Sequence, residues 1–204
     1  MGADNSLANT SRPNGSYEYL LAGYPNLAVY NKIMAETQHF YNDYRQRVTI
    51  KTKPHIAVAG FLASEAMEST IVRWIQRICG TQQSFEVTLN NYSGFPPHTI
   101  YLRVLDPLPF QQLAKQLKTV DDFIRASACP PAKLITRPHL SLARSLPESV
   151  YNKAMADYAQ KTFHESFMMN EFLLLRRQHA FETCKTIQVF RLRPADNKLF
   201  SDVA

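Results

Sequence analysis

Thr136-Arg137-Pro138-His139-Leu140-Ser141-Leu142-Ala143-Arg144 has a counterpart upstream, Thr52-Lys53-Pro54-His55-Ile56-Ala57-Val58-Ala59. Laid side by side without a gap, both read Thr, basic, Pro, His, aliphatic, small, aliphatic, Ala. Strand side chains alternate between faces. His55, Ala57 and Ala59 therefore share one face with Lys53, and His139, Ser141 and Ala143 share one with Arg137. Ile56, Val58, Leu140 and Leu142 point the other way, where helices can cover them. Two histidines presented alike from two parts of one chain predict a paired site about a pseudo-twofold axis.

Outward from these stretches, the order of elements repeats. Tyr17–Gly23 reads as a strand, and Pro25 suits the first turn of a helix whose stripe is Leu27, Tyr30, Met34, Thr37, Tyr41 and Tyr44. The first motif strand is expected over about Lys51–Phe61, followed by a helix capped by Ser64 and stopped by Gly80. Met67, Ile71, Trp74, Ile75 and Ile78 form its apolar stripe. Alternation over Phe85–Leu89 and Ile100–Val104, with turn-rich Asn90–Pro97 between, predicts two paired strands. Asp106-Pro107 opens one helix carrying Leu113, Leu117, Val120 and Ile124, and the second motif strand spans about Leu134–Ala143. Ser145-Leu146-Pro147-Glu148 reads as a capping box. Two further strands are expected, roughly Phe167–Arg176 and Thr186–Leu192.

After each histidine the order is thus strand, helix, strand, strand. The expected fold is α+β: a bilobal, duplicated sheet-plus-helices architecture with a pseudo-twofold axis, the motif strands facing across a central cleft. Residues 1–16 read as a disordered tail, 17–193 as a single bilobal domain and 194–204 as a polar C-terminal tail.

Composition narrows the chemistry. The formal net charge is +6, which favours anionic partners such as phosphate esters or nucleic acid. No Lys/Arg block marks an RNA-wrapping tail. Three cysteines, an odd number without C-x-x-C spacing, argue against a disulfide framework or a structural zinc site, leaving buried inert thiols such as Cys79 in a reducing, cytoplasmic protein. No carboxylate or cysteine lies at ligand spacing to either motif histidine, so no metal is expected. No apolar run has bilayer length and no signal-peptide core is present, so no membrane association is expected. There is no Gly-rich phosphate loop and no Ser-His-Asp signature. A monomer is expected.

In-line cleavage of a phosphodiester needs a base at the entering oxygen and an acid at the leaving oxygen, on opposite sides of phosphorus. Histidine suits both tasks near neutral pH. His55-Ile-Ala-Val-Ala-Gly-Phe61 and His139-Leu-Ser-Leu-Ala-Arg144 resemble the paired His-x-Thr/Ser motifs of the 2H phosphoesterase superfamily, in particular its bacterial 2′-5′ RNA ligase-like branch. The resemblance covers Tyr17 to Leu192. It implies metal-free, cofactor-free chemistry on RNA-type 2′,3′-cyclic or 2′-5′ phosphodiesters, with a nucleotide or RNA terminus as partner. By motif position, His55 and His139 would be the acid/base pair and Ser141 a phosphate-binding hydroxyl. Arg144, Lys53 and Arg137 are further candidates for the phosphate. Ala57 stands where the first motif would carry its hydroxyl, which raises the alternative of a nucleotide or RNA-end binding module with little catalysis. His39, His98, His164 and His179 lack such a context and read as surface or partly packed residues. Tyr92, Phe95 and Tyr101 read as packing residues that could stack on a base, and Arg176-Arg177 as strand-end charges near the anion.

Overall fold

The computed structural model describes residues 15–46, 53–179 and 182–195. Thr52 of the first motif, the expected strand start at Lys51 and most of both expected tails lie outside them. The chain is α+β. Its elements run β1 (Ser16–Gly23), α1 (Leu27–Tyr44), β2 (Ile56–Ser64), α2 (Glu65–Thr81), β3 (Phe85–Phe95), β4 (Thr99–Val104), α3 (Leu108–Gln116), α4 (Lys118–Ala126), β5 (Lys133–Leu134), β6 (His139–Ala143), α5 (Glu148–Tyr158), β7 (His164–Met169), β8 (Glu171–Arg177) and β9 (Lys185–Arg191).

All these strands belong to one nine-stranded sheet in the order β7-β3-β4-β6-β2-β1-β8-β9, with short β5 paired to β2. The motif strands β2 and β6 are antiparallel neighbours at its centre, joined at Ile56↔Leu140. Two equivalent halves meet there. In each, a strand leads through helix to a motif strand that pairs with it, as β1 does with β2 and β4 with β6. A later strand crosses over: β3, which follows β2 through α2, pairs with β4, and β8, which follows β6 through α5 and β7, pairs with β1. The sequence repeat is therefore not the structural half. The motif strands also meet edge to edge rather than facing each other, because local periodicity specifies strands but not their partners.

The helices cross as well, α1 packing on β6 and α3 on β2. Between these helices and the sheet lie Ile56, Val58, Leu140 and Leu142, all buried as their alternation predicts. On α1 the buried stripe is Val29, Ile33, Thr37 and Phe40, rotated from the expected Leu27/Tyr30/Met34 face; Leu27 is 74% exposed. A long tyrosine-rich helix carries apolar atoms on several faces, and the aliphatic side chains took the core. Asn26 caps α1 by accepting from the Val29 N–H at 3.0 Å.

Other boundaries differ for local reasons. The expected helix after Asp106 is two: at Leu117 the bonding tightens, with Val120 N–H donating to Leu117 O at 3.0 Å, although Leu113, Leu117, Val120 and Ile124 are buried as expected. α2 runs through Gly80 to Thr81, and its buried positions are Met67, Ile71, Ile75 and Cys79 while Trp74 is exposed. Ser64 occupies the N-cap position without a side-chain capping bond. Ser145–Glu148 forms no capping box: Pro147 is extended at the N-cap position, and Leu146 N–H is taken by His98 O. The strand expected over Phe167–Arg176 is divided at Asn170 into β7 and β8. β3 continues through Asn91, which adopts φ +56 at an irregularity in the ladder, into the stretch expected to be a turn. Among the described residues no helix is long and apolar enough to cross a membrane.

Leu140 has no exposed surface at the seam. Truncation there removes contacts in both halves, so Leu140→Ala should lower unfolding free energy by about 2–5 kcal/mol in urea titrations. A loss below about 1 kcal/mol would show that the seam is not part of the cooperative core.

Candidate active site

The residue before each motif histidine is a proline, and the chain two residues back turns its carbonyl onto the ring. His55 Nδ1–H donates to Lys53 O at 2.8 Å, and His139 Nδ1–H donates to Arg137 O at 3.0 Å. A carbonyl can only accept, so both rings carry a proton on Nδ1, and in its neutral form each presents Nε2 as an acceptor. The same device at both sites is the clearest structural expression of the repeat.

Continuing the register from Ile56↔Leu140, His55 stands opposite Ser141 and His139 stands opposite Ala57. The antiparallel seam thus crosses the motifs, setting each histidine beside the other motif's small residue. His55 keeps a hydroxyl neighbour, whereas His139 faces a methyl. His55 Nε2 and Ser141 Oγ are both buried and have no hydrogen-bond partner among the described residues. Such unsatisfied atoms are costly, about 1–3 kcal/mol each, and each calls for an explanation.

Burial pushes both imidazoles below the ordinary histidine range, and the carbonyl bonds from Lys53 and Arg137 oppose this only in part. Cationic neighbours act in the same direction as burial. Arg144 lowers both rings, His139 further lowers His55, and Lys133 lowers His139. The guanidinium of Arg144 thus lies where its field reaches both rings, and the two rings lie within each other's field. The side chains of Lys53 and Arg137 are exposed; their contribution to ring geometry comes through their backbone carbonyls.

Aromatic rings line the two sides unequally. Phe95 stands edge-on to His139 at 5.0 Å and Tyr101 tilts against it at 5.0 Å, the two stacking on each other at 4.4 Å. Tyr24 tilts against His55 at 5.9 Å. Tyr92 is a core residue, donating to Glu36 at 2.7 Å and packing edge-on against Tyr158. Arg176 is bonded to Glu65 and Glu68, and Arg177 is bonded to Glu18 by two contacts. These acidic partners already neutralise the two strand-end arginines. Among the described residues no group of His, Cys, Asp and Glu could hold a metal ion, and the described cysteines are free thiols, with burial pushing Cys79 up to about 12.

A sequence profile of the 2′-5′ RNA ligase superfamily matches residues 31–180. The chain belongs to that superfamily. Solved structures agree in fold: Escherichia coli LigT in apo form has a TM-score of 0.63 at 19% identity, covering 87% of this chain and 98% of LigT. TT0787 of Thermus thermophilus has a TM-score of 0.65 at 15% identity, with the same coverage. No curated protein matches significantly in sequence.

In this 2′-5′ RNA ligase superfamily member, Tyr24 and Lys133 are the neighbours that sequence reasoning does not single out. Tyr24 follows β1, and its place beside His55 depends on the β1–β2 pairing. Lys133 comes from β5, whose pairing with β2 rests on two residue pairs. No local pattern reports either pairing.

Both rings are depressed, so the folded state holds them neutral where the unfolded chain would begin to protonate near pH ~6.5. Stability should therefore be constant above that pH and fall as pH drops through the lower folded values. Imidazole NMR titrations should give midpoints below about 6.5 for both rings, with urea midpoints declining over the same window. Midpoints at or above that value would contradict the electrostatic arrangement.

Proposed function

We propose that this protein is a metal-independent phosphodiesterase, or 2′-5′ RNA ligase-like enzyme, acting on RNA-type 2′,3′-cyclic or 2′-5′ phosphodiesters through His55 and His139. The observation that carries this reading is the pair of buried, unpartnered polar atoms, His55 Nε2 and Ser141 Oγ, on residues flanking the Ile56↔Leu140 pair of the β2–β6 seam. A phosphate oxygen would satisfy the Ser141 hydroxyl as acceptor, and a hydroxyl or water proton would satisfy the imidazole. Supporting the ligand class, LigT has been solved in complex with phosphate and with 3′-AMP.

In this mechanism one Nε2 accepts the proton of the entering oxygen as it bonds to phosphorus. The other ring, as imidazolium, gives a proton to the oxygen whose bond to phosphorus breaks. The backbone-held Nδ1 protons keep both Nε2 atoms aimed at the reacting groups. A resting neutral pair needs one added proton, and the phosphate anion entering between the rings favours that protonation. Arg144, with Ser141, would stabilise the equatorial oxygens. Lys53 and Arg137, being exposed, would serve approach of the polyanion rather than the reacting phosphorus.

A second reading, a nucleotide or RNA-end binding module, is favoured by one feature: Ala57 leaves His139 without the hydroxyl neighbour that His55 has. Assays on nucleoside 2′,3′-cyclic phosphates and 2′-5′-linked oligonucleotides in EDTA separate the two. The catalytic reading expects turnover that falls roughly 10²–10⁴-fold in His55→Ala and in His139→Ala. Ser141→Ala should lose about 10²–10³-fold. Ligand binding without wild-type turnover, with activity appearing in Ala57→Ser, would establish the binding module instead.

A further inference from the structure

Two segments outside the histidine motifs deliver residues to the site. The β3–β4 hairpin tip brings Phe95 against His139, and the turn after β6 carries Arg144. His98 ties them together. Its backbone N–H donates to Phe95 O at 3.1 Å, closing the hairpin tip. Its carbonyl accepts from Leu146 N–H at 3.0 Å, and its ring Nδ1–H donates to Leu146 O at 3.0 Å. Two reciprocal bonds thus bind one residue of the hairpin to one residue of the turn.

The turn needs such a restraint. Between Arg144 and Leu146, Ser145 adopts φ +54, a left-handed conformation costly for a residue with a Cβ. Leu146 itself is buried, anchoring the turn in the core. The hairpin is backed from the other side by α5, where a Cβ added to Gly94 would meet Tyr151 Oη at 2.1 Å. A side chain at position 94 would force either the Tyr151 ring or the hairpin tip to shift. The tip is therefore held by Tyr151 behind and by His98 in front, while the His98 ring lies at the exposed surface, outside the core.

We infer that His98 is a positioning residue: its two-point bond to Leu146 holds Arg144 and Phe95 in register around His139, and so sets how the site grips an anionic ligand. It acts through these residues and does not touch the reacting atoms. The inference rests on the catalytic reading only for its kinetic consequence; the positioning itself can be read without substrate.

The experiment compares the wild type with His98→Ala, His98→Leu and His98→Asn in the full chain. Histidine-selective NMR titrates His55 and His139, and kinetics use a nucleoside 2′,3′-cyclic phosphate. The charged groups whose fields reach the rings are Arg144 for both, His139 for His55 and Lys133 for His139, and the tyrosines against them are Tyr24 at His55 and Tyr101 at His139. Loosening the turn moves Arg144 away and opens the rings to solvent, and both changes raise imidazole affinity for protons. Midpoints of both rings should rise towards about 6.5 in the Ala and Leu variants. Displacement of about 1 Å at a site can cost on the order of 10²-fold in rate, so kcat/KM should fall roughly 10- to 100-fold, mainly through KM. Asn, whose amide N–H can replace Nδ1–H, should restore both readouts. Folded Ala and Leu variants with wild-type midpoints would overturn the inference, as would an Asn variant no better than Ala. Shifted midpoints in a chain that turns over no substrate would support the clamp while sinking the catalytic proposal.

Discussion

Ile56 and Leu140 meet across the centre of the sheet, and the site depends on that meeting. One antiparallel residue pair fixes three things together. It joins the two halves, turns Ile56 and Leu140 inward beneath the crossed helices, and sets His55 and His139 on the opposite face within each other's field. A slip of either strand by one residue would send its histidine into the apolar layer and its aliphatic residues into the site. The burial of four aliphatic side chains on the inner face makes that slip prohibitive, at about 1.5–3 kcal/mol for each large side chain exposed. Register and chemistry are in this sense one constraint.

The same seam breaks the symmetry it creates. Antiparallel pairing crosses the motifs, so continuing the register sets Ala57 opposite His139 and Ser141 opposite His55. The two imidazoles share a tautomer, fixed by equivalent carbonyls, but not an environment. His55 is buried beside Ser141 and Tyr24; His139 is half-buried, with Phe95 and Tyr101 against it and Ala57 across from it. A twofold repeat has thus become a site with two distinguishable ends.

Much of this is readable in the sequence where the information is local. Alternation about each histidine marks the two faces of β2 and β6, and turn residues mark most element boundaries. The pairing of strands is not local: nothing in β3 or β8 marks that each joins the half it does not follow. The stripe on α1 departs from its periodicity because Tyr30, Tyr41 and Tyr44 count as apolar by type, while Val29, Ile33 and Phe40 fill the core. Arg144 is one position out of phase with Ser141, yet its charge reaches both rings, since the chain leaves the strand there and alternation no longer applies. Tyr24 and Lys133 arrive through pairings that periodicity does not encode. His98 reads as an isolated surface histidine because its partner is a backbone carbonyl, which carries no side-chain signature.

The crossed hairpins have a consequence for how such a molecule can be assembled. Each repeat leaves at least one strand in its partner's half, with β3 on the side of β4 and the paired β8 and β9 on the side of β1. Neither repeat contains a complete sheet half, so neither could be an independent folding unit. The chain must bring together segments as distant as β1 and β8 before either half is closed, a topology whose folding is governed by long loop closures. A single chain thus carries both sets of exchanged strands and, at their junction, both histidines.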